Sequence, residues 1–280
     1  MKTVQVSHVT ETIRQMCIEA NYVLSEDMKQ IFDRAAEQEK SVLGRQVLNQ
    51  LKENLKIAKQ DQIPICQDTG MAVVFLKIGQ EVHFEGGSLE EAVHEGVRQG
   101  YRDGYLRKSV VKDPIFRENT NDNTPAVIHY EIVSGDQVEI TLAPKGFGSE
   151  NMSRIFMLKP ADGIEGVKEA ILTAIKEAGP NACPPMVIGV GIGGTMEKAA
   201  LLAKQAAVRE IDSKNADERY AKLEEELLEI ANKTGVGPQG LGGTTTAFKV
   251  NVEWYPTHIA GLPVAVNINC HAARHADIEL

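Results

Sequence analysis

The chain has 280 residues, 42% of them hydrophobic, and a formal net charge of −9. That is enough apolar material to bury a large core, and the acidic balance excludes the basic surface that nucleic acid or an anionic membrane needs. The opening MKTVQVSHVTETIRQ lacks the apolar core of a secretory signal, and no stretch reads as a membrane span. Four scattered cysteines, Cys17, Cys66, Cys183 and Cys270, are too few for a disulfide framework in a chain this long. The expectation is a cytoplasmic globular protein whose cysteines are reduced thiols or ligands, acting on small molecules or protein partners.

In chain order, residues 7–59 read as helices, with Leu43, Val47, Leu48, Leu51, Leu55 and Ala58 at three- and four-residue spacing on one face. The segment IPICQDTGMAVVFLKIG carries Cys66 just ahead of an apolar run, Met71 to Ile78, that predicts a buried strand. Ser88 and Glu91 have capping-box spacing and start a helix. PAVIHYEIVSGDQVEITL alternates apolar and polar residues across Ser134 to Asp136. It predicts a β-hairpin with Ile128, Tyr130 and Ile132 on the same face as Val138, Ile140 and Leu142. Residues 163–178 form a helix with Ile164, Val167, Ile171, Ala174 and Ile175 on its apolar face, and PMVIGVGIGG follows as strand and glycine turn. Two more helices cover about 195–233. Strands return at Phe248, Val250, Val252 and Trp254, and at Val264, Val266, Ile268 and Cys270. The fold class is mixed α/β, a helical N-terminal region (1–60) followed by strands and helices, all within one domain, 1–280.

The cysteines separate by context. Cys17 sits with Ile13, Met16 and Ala20 at helical spacing and reads as a small core residue. Cys66, Cys183 and Cys270 each stand at the end of an element, where side chains from distant parts of a chain converge. Their spacing matches no local zinc or ferredoxin pattern, so the residues alone leave separate buried thiols and a shared site both open.

PICQDTG, RENTNDNTPAVIHYEIV, APKGFGSENMSR, ACPPMVIGVGIGGT and VNVEWYPTHIAGLPVAVNINCHAARH together resemble the α subunit, or N-terminal domain, of the class I iron–sulfur hydro-lyases, fumarase and L(+)-tartrate dehydratase. The likeness runs in order from about residue 8 to 275. It departs at Phe147, where a third glycine is often found. The C-terminal half of single-chain members is not in this sequence, so the resemblance implies a separate β subunit in a hetero-oligomer such as α2β2. It also implies one [4Fe–4S] cluster held by Cys66, Cys183 and Cys270, placed at strand and helix ends. One iron would have no protein ligand and would act as a Lewis acid on a hydroxy dicarboxylate. Asp68 and His258 match the catalytic pair near the substrate hydroxyl, and Gln67, Arg107 and Gly146 match substrate-binding positions. The base that removes the carbon-bound proton is implied to lie on the β subunit. His271 and His275 are candidates to support the third thiolate.

Each assignment has a plainer alternative: an Asx turn for Asp68, a backbone-bonded loop imidazole for His258, a solvated arginine for Arg107 and a glycine turn for Gly146. GVGIGG, from Gly189 to Gly194, also fits the dinucleotide fingerprint. No second core strand ends on an acid at the required distance, and a tight strand-to-helix turn with amides facing an anion is the better reading. The functional expectation is reversible hydration of fumarate to L-malate, the commoner role. L(+)-tartrate dehydration is the alternative, and a non-catalytic iron–sulfur sensor or scaffold subunit is the alternative of another class.

Overall fold

The computed structural model describes residues 2–280. In chain order its elements are β1 (Lys2–Gln5), α1 (Val6–Tyr22), α2 (Glu26–Gln38), α3 (Val42–Asp61), β2 (Met71–Gly79), β3 (Val82–Glu85), α4 (Leu89–Asp103), β4 (Val127–Val133), β5 (Val138–Lys145), α5 (Phe147–Glu150), β6 (Arg154–Leu158), α6 (Gly163–Ala178), β7 (Met186–Gly193), α7 (Met196–Ala206), α8 (Glu218–Asn232), β8 (Ala247–Tyr255), β9 (Leu262–Asn269) and β10 (Ala276–Glu279). The class is mixed α/β, as expected. Among the described residues no helix is long and apolar enough to cross a membrane.

Two compact units divide the chain. The first comprises Met1–Ser25, Asn54–Phe147 and Arg274–Leu280. Its four-stranded sheet has the order β10-β5-β2-β4, and β1 pairs with β3 beside it. MAVVFLKIG has apolar residues on both strand faces, which suits an inner strand, and β2 is buried along almost its whole length. It pairs in parallel with β4 and antiparallel with β5. The expected hairpin is therefore corrected: β4 and β5 both form, but β2 lies between them. Val138, Ile140 and Leu142 are in the core, whereas Tyr130 and Ile132 on the outer strand are exposed. The short connection crosses the end of β2 at Gly79, where a Cβ would stand 2.4 Å from the Gly135 carbonyl oxygen. α1 and α4 pack closely because α4 offers glycines at the contact; a Cβ on Gly100 would fall 2.7 Å from that of Cys17. Cys17 is fully buried there, and burial pushes its thiol pKa well up, so it stays protonated as a core residue. Ser88 caps α4 by accepting from the Glu91 amide.

The second unit comprises Glu26–Glu53 and Gly148–Ala273. Its sheet has the order β6-β9-β7-β8, with β7 parallel to β8 and antiparallel to β9. Ile188, Val190 and Ile192 bury one face against α6 and α8, through Val167, Ile171, Ile175, Leu223 and Leu227. Successive strand residues point to opposite faces, so Gly189 and Gly191 meet α7 on the other. A Cβ on either would come within 2.1 Å of an α7 carbonyl oxygen, at Ala203 and Ala199. The GVGIGG motif thus serves two ends: its first glycines let α7 approach, and Gly193 and Gly194, at φ +90° and +67°, make the turn.

Candidate functional site

In the first unit the site begins where the chain leaves α3 for β2. Ile65 is buried and anchored on both sides, its amide donating to the Asn21 carbonyl and its own carbonyl accepting from Asn54 Nδ2, each at 2.9 Å. Cys66 follows, half-buried, with the Asp68 amide nitrogen 3.4 Å and Gln67 Oε1 3.5 Å from its Sγ. The Asp68 carboxylate is fixed by two amides, Gly70 on Oδ1 at 3.0 Å and Phe147 on Oδ2 at 2.8 Å. The Asx turn is therefore present, and the second bond adds the Gly146–Phe147 turn to the same place. A Cβ on Gly146 would stand 3.2 Å from Asp68 Oδ2, which gives that glycine a steric reason.

The next three carbonyls are held in turn. Arg274 Nη2 donates to Asp68 O, and the Tyr101 hydroxyl donates to Thr69 O and Gly70 O at 2.7 and 3.0 Å. Asn123 Nδ2 donates to Gly70 O at 3.1 Å, while Asn123 Oδ1 accepts from the Ser109 and Val110 amides. Burial raises the Tyr101 pKa far above its usual value, so the phenol remains a donor. Asn123 is fully buried and adopts φ +64°. Together with the Thr69 Oγ1 bond to Arg107 O at 3.1 Å, it ties the loop carrying Arg107 to the Cys66–Gly70 segment. The Arg107 side chain is exposed. Cys66, Gln67, Asp68, Arg107 and Gly146 are thus brought into one neighbourhood. Tyr101, Asn123 and Arg274 were not singled out by sequence reasoning, because their roles rest on partners 31 to 206 residues away. The polar run NTNDN was a visible signal for Asn123.

In the second unit Cys183 follows the α6 helix end and Cys270 follows β9. The His271 amide donates to Cys183 O at 3.1 Å and its Nδ1 lies 3.0 Å from the same oxygen, which brings the two cysteine-bearing turns together. Gln239 braces them, its amide and Nε2 both donating to Pro184 O at 2.8 Å and Nε2 lying 3.1 Å from His271 Nδ1. Cys183 is exposed and adopts φ +49°, a left-handed conformation that costs a non-glycine residue about 1 to 3 kcal/mol and persists where neighbours enforce it. His258 lies in the exposed loop between β8 and β9, where its Nδ1 accepts from the Ala260 amide at 3.1 Å. That bond leaves the proton of the neutral ring on Nε2. His275 Nε2 lies 3.4 Å from Asp277 Oδ2.

Among the described residues no three His, Cys, Asp or Glu side chains are grouped so as to hold a single metal ion. The donor set has another character. In the first unit an amide points at the half-buried Cys66 Sγ and the buried Arg274 guanidinium donates to the Asp68 carbonyl; in the second, Cys183 and Cys270 stand at element ends, open to solvent to different degrees. A Cys66 thiolate that accepts an amide hydrogen bond near a buried cation fits an anionic iron–sulfur group.

Comparison with known proteins decides the family. The family model described as "Fumarate hydratase (Fumerase)" matches residues 10–279. The chain belongs to the Fumerase family. It is a hydro-lyase, an enzyme rather than a sensor or scaffold. A "Putative L(+)-tartrate dehydratase subunit alpha" of Methanocaldococcus jannaschii is 42% identical over 274 residues, 96% of each chain. The L(+)-tartrate dehydratase subunit alpha of Escherichia coli K12 is 31% identical over 287 residues, 98% of this chain and 93% of that one. The same subunit of Escherichia coli UTI89 is also 31% identical, over 98% of this chain and 91% of its own. The Fumerase relationship spans both compact units.

Proposed function

We propose that the chain is the α subunit of a two-subunit iron–sulfur hydro-lyase that dehydrates L(+)-tartrate, with residues 1–280 acting as one functional domain. The observation carrying the substrate is the set of relatives: those at 42% and 31% identity over nearly the full chain are named as L(+)-tartrate dehydratase α subunits. This reading replaces the sequence-based preference for fumarate. Fumarate hydration, and with it a role in the tricarboxylic acid cycle, is the second reading, favoured by the description of the family model.

Cys66, Cys183 and Cys270 are proposed to hold one [4Fe–4S] cluster. When bound, the cluster supplies a Lewis acid for the departing hydroxyl. Asp68, its carboxylate oriented by the Gly70 and Phe147 amides, takes a place beside that hydroxyl. His258 presents Nε2–H as a hydrogen-bond donor to the leaving oxygen, and would act as the acid partner only in its imidazolium form, with the Ala260 bond to Nδ1 given up. Arg107 and Gln67 bind the substrate carboxylates, since a guanidinium grips a carboxylate with two parallel bonds, and the Gly146 turn gives the substrate room to approach. No residue of this chain is assigned as the base; that role falls to a β subunit. The names of the relatives support such a partner, and an assembly such as α2β2 is proposed with it. Free cysteines and the acidic charge are consistent with a cytoplasmic setting.

A substrate panel tests the reading. With the anaerobic α–β pair, kcat/KM for L(+)-tartrate should exceed that for L-malate by about 10-fold or more, the size of discrimination a few polar contacts achieve. A preference for L-malate or fumarate would reverse the substrate assignment.

A further inference from the structure

Arg274 is 6% exposed. Of its N–H groups, Nη2 donates to Asp68 O, while Nε and Nη1 are enclosed and meet no hydrogen-bond partner. Among the described residues it also forms no ion pair. A buried guanidinium with two unmet N–H groups and no direct ion pair is unfavourable, and such groups are kept where something else gains from them. The charge can act on a group beside Cys66 through space and through the Asp68 peptide, whose carbonyl oxygen Nη2 holds. The Asp68 amide nitrogen lies 3.4 Å from Cys66 Sγ, so bond geometry keeps Nη2 within roughly 10 Å of the sulfur. Other basic groups of the first unit, such as Arg14, Arg98 and Arg102, have carboxylate partners.

We propose that Arg274 is a positioning residue whose unpaired charge is kept for an anionic iron–sulfur group beside Cys66: it costs stability in the empty chain and stabilises the loaded one. The inference rests on the cluster reading above. Three thiolates around a [4Fe–4S]2+ core carry net negative charge, which is what the buried guanidinium lacks. Through Nη2 the same residue sets the peptide whose neighbouring amide faces the Cys66 sulfur.

The test uses the full chain, empty and after anaerobic reconstitution with iron and sulfide, as wild type, Arg274→Met, Arg274→Lys and Cys66→Ser. The melting temperature of empty Arg274→Met should equal or exceed that of the empty wild type. Once loaded, Arg274→Met should lose iron to a chelator about 10- to 100-fold faster, the usual effect of removing a supporting group around a metal site. Its midpoint potential should shift negative, because loss of a nearby positive charge disfavours reduction. Arg274→Lys should recover most of both properties. Equal destabilisation of empty and loaded Arg274→Met, with iron release and potential unchanged, would make Arg274 a plain structural residue and overturn the proposal. So would Arg274→Met failing to fold while Arg274→Lys folds. A wild type that takes up no cluster, or a Cys66→Ser chain that keeps one unchanged, would instead remove the cluster reading and this inference with it.

Discussion

At the scale of single residues, the four cysteines divide by environment. Cys17 is sealed between α1 and α4 with its thiol held protonated by burial, whereas Cys66, Cys183 and Cys270 stand at element ends. Replacing any of the last three with Ser should abolish or greatly weaken the visible absorbance of the anaerobically reconstituted chain, and Cys17→Ser should leave it intact; iron and sulfide assays check both. Asp68→Asn and His258→Asn should spare the cluster and lower kcat in the α–β complex by about 100- to 10,000-fold, the range for acid–base groups. Steady-state turnover by each variant decides this, and a normal rate in both would remove them from the chemistry. These positions were singled out through the family resemblance, since each lies inside one of its short motifs. Tyr101, Asn123, Gln239 and Arg274 were not, since each acts on a carbonyl far away in the chain and looks locally like any helix or loop residue.

At the scale of elements, a buried carboxylate fastens the end of α2 to the glycine-rich approach to β8. Glu39 is 1% exposed and accepts from the Ser41, Thr244 and Thr245 amides. Burial raises its pKa, but these hydrogen bonds outweigh that effect and hold it below the usual value. A depressed folded-state pKa gives stability that is full above the unfolded value, near 4.3, and is lost as pH falls through the folded one. Glu39→Gln should therefore cost about 1 to 3 kcal/mol at neutral pH, the penalty for buried donors losing an acceptor. The gap to wild type should close in acid, as urea titrations at a series of pH values would show. β4, β5, β8 and β9 were legible from their alternation, β2 and β7 from their apolar runs, and the longer helices from their apolar spacing, whereas the short strands β1, β3, β6 and β10 were not read. Pairing was not: β4 and β5 each carry a strand pattern, but nothing in either one states that β2 comes between them. The signal lay in β2 itself, whose unbroken apolar run marks a strand buried on both faces.

At the scale of the whole molecule, the chain is a hydro-lyase whose relatives are named as α subunits, and it lacks an assigned base of its own. The proposed division of labour rests on resemblance alone, because no local pattern reports a missing catalytic group. The most direct test is dehydration of L(+)-tartrate by the anaerobic α chain alone, by the β subunit alone and by the two together, with iron and sulfide measured in parallel. The account predicts a cluster on α, negligible turnover by either subunit alone, and full turnover by the mixture. Robust turnover by α alone, or an inactive mixture whose α chain carries its full cluster, would contradict it.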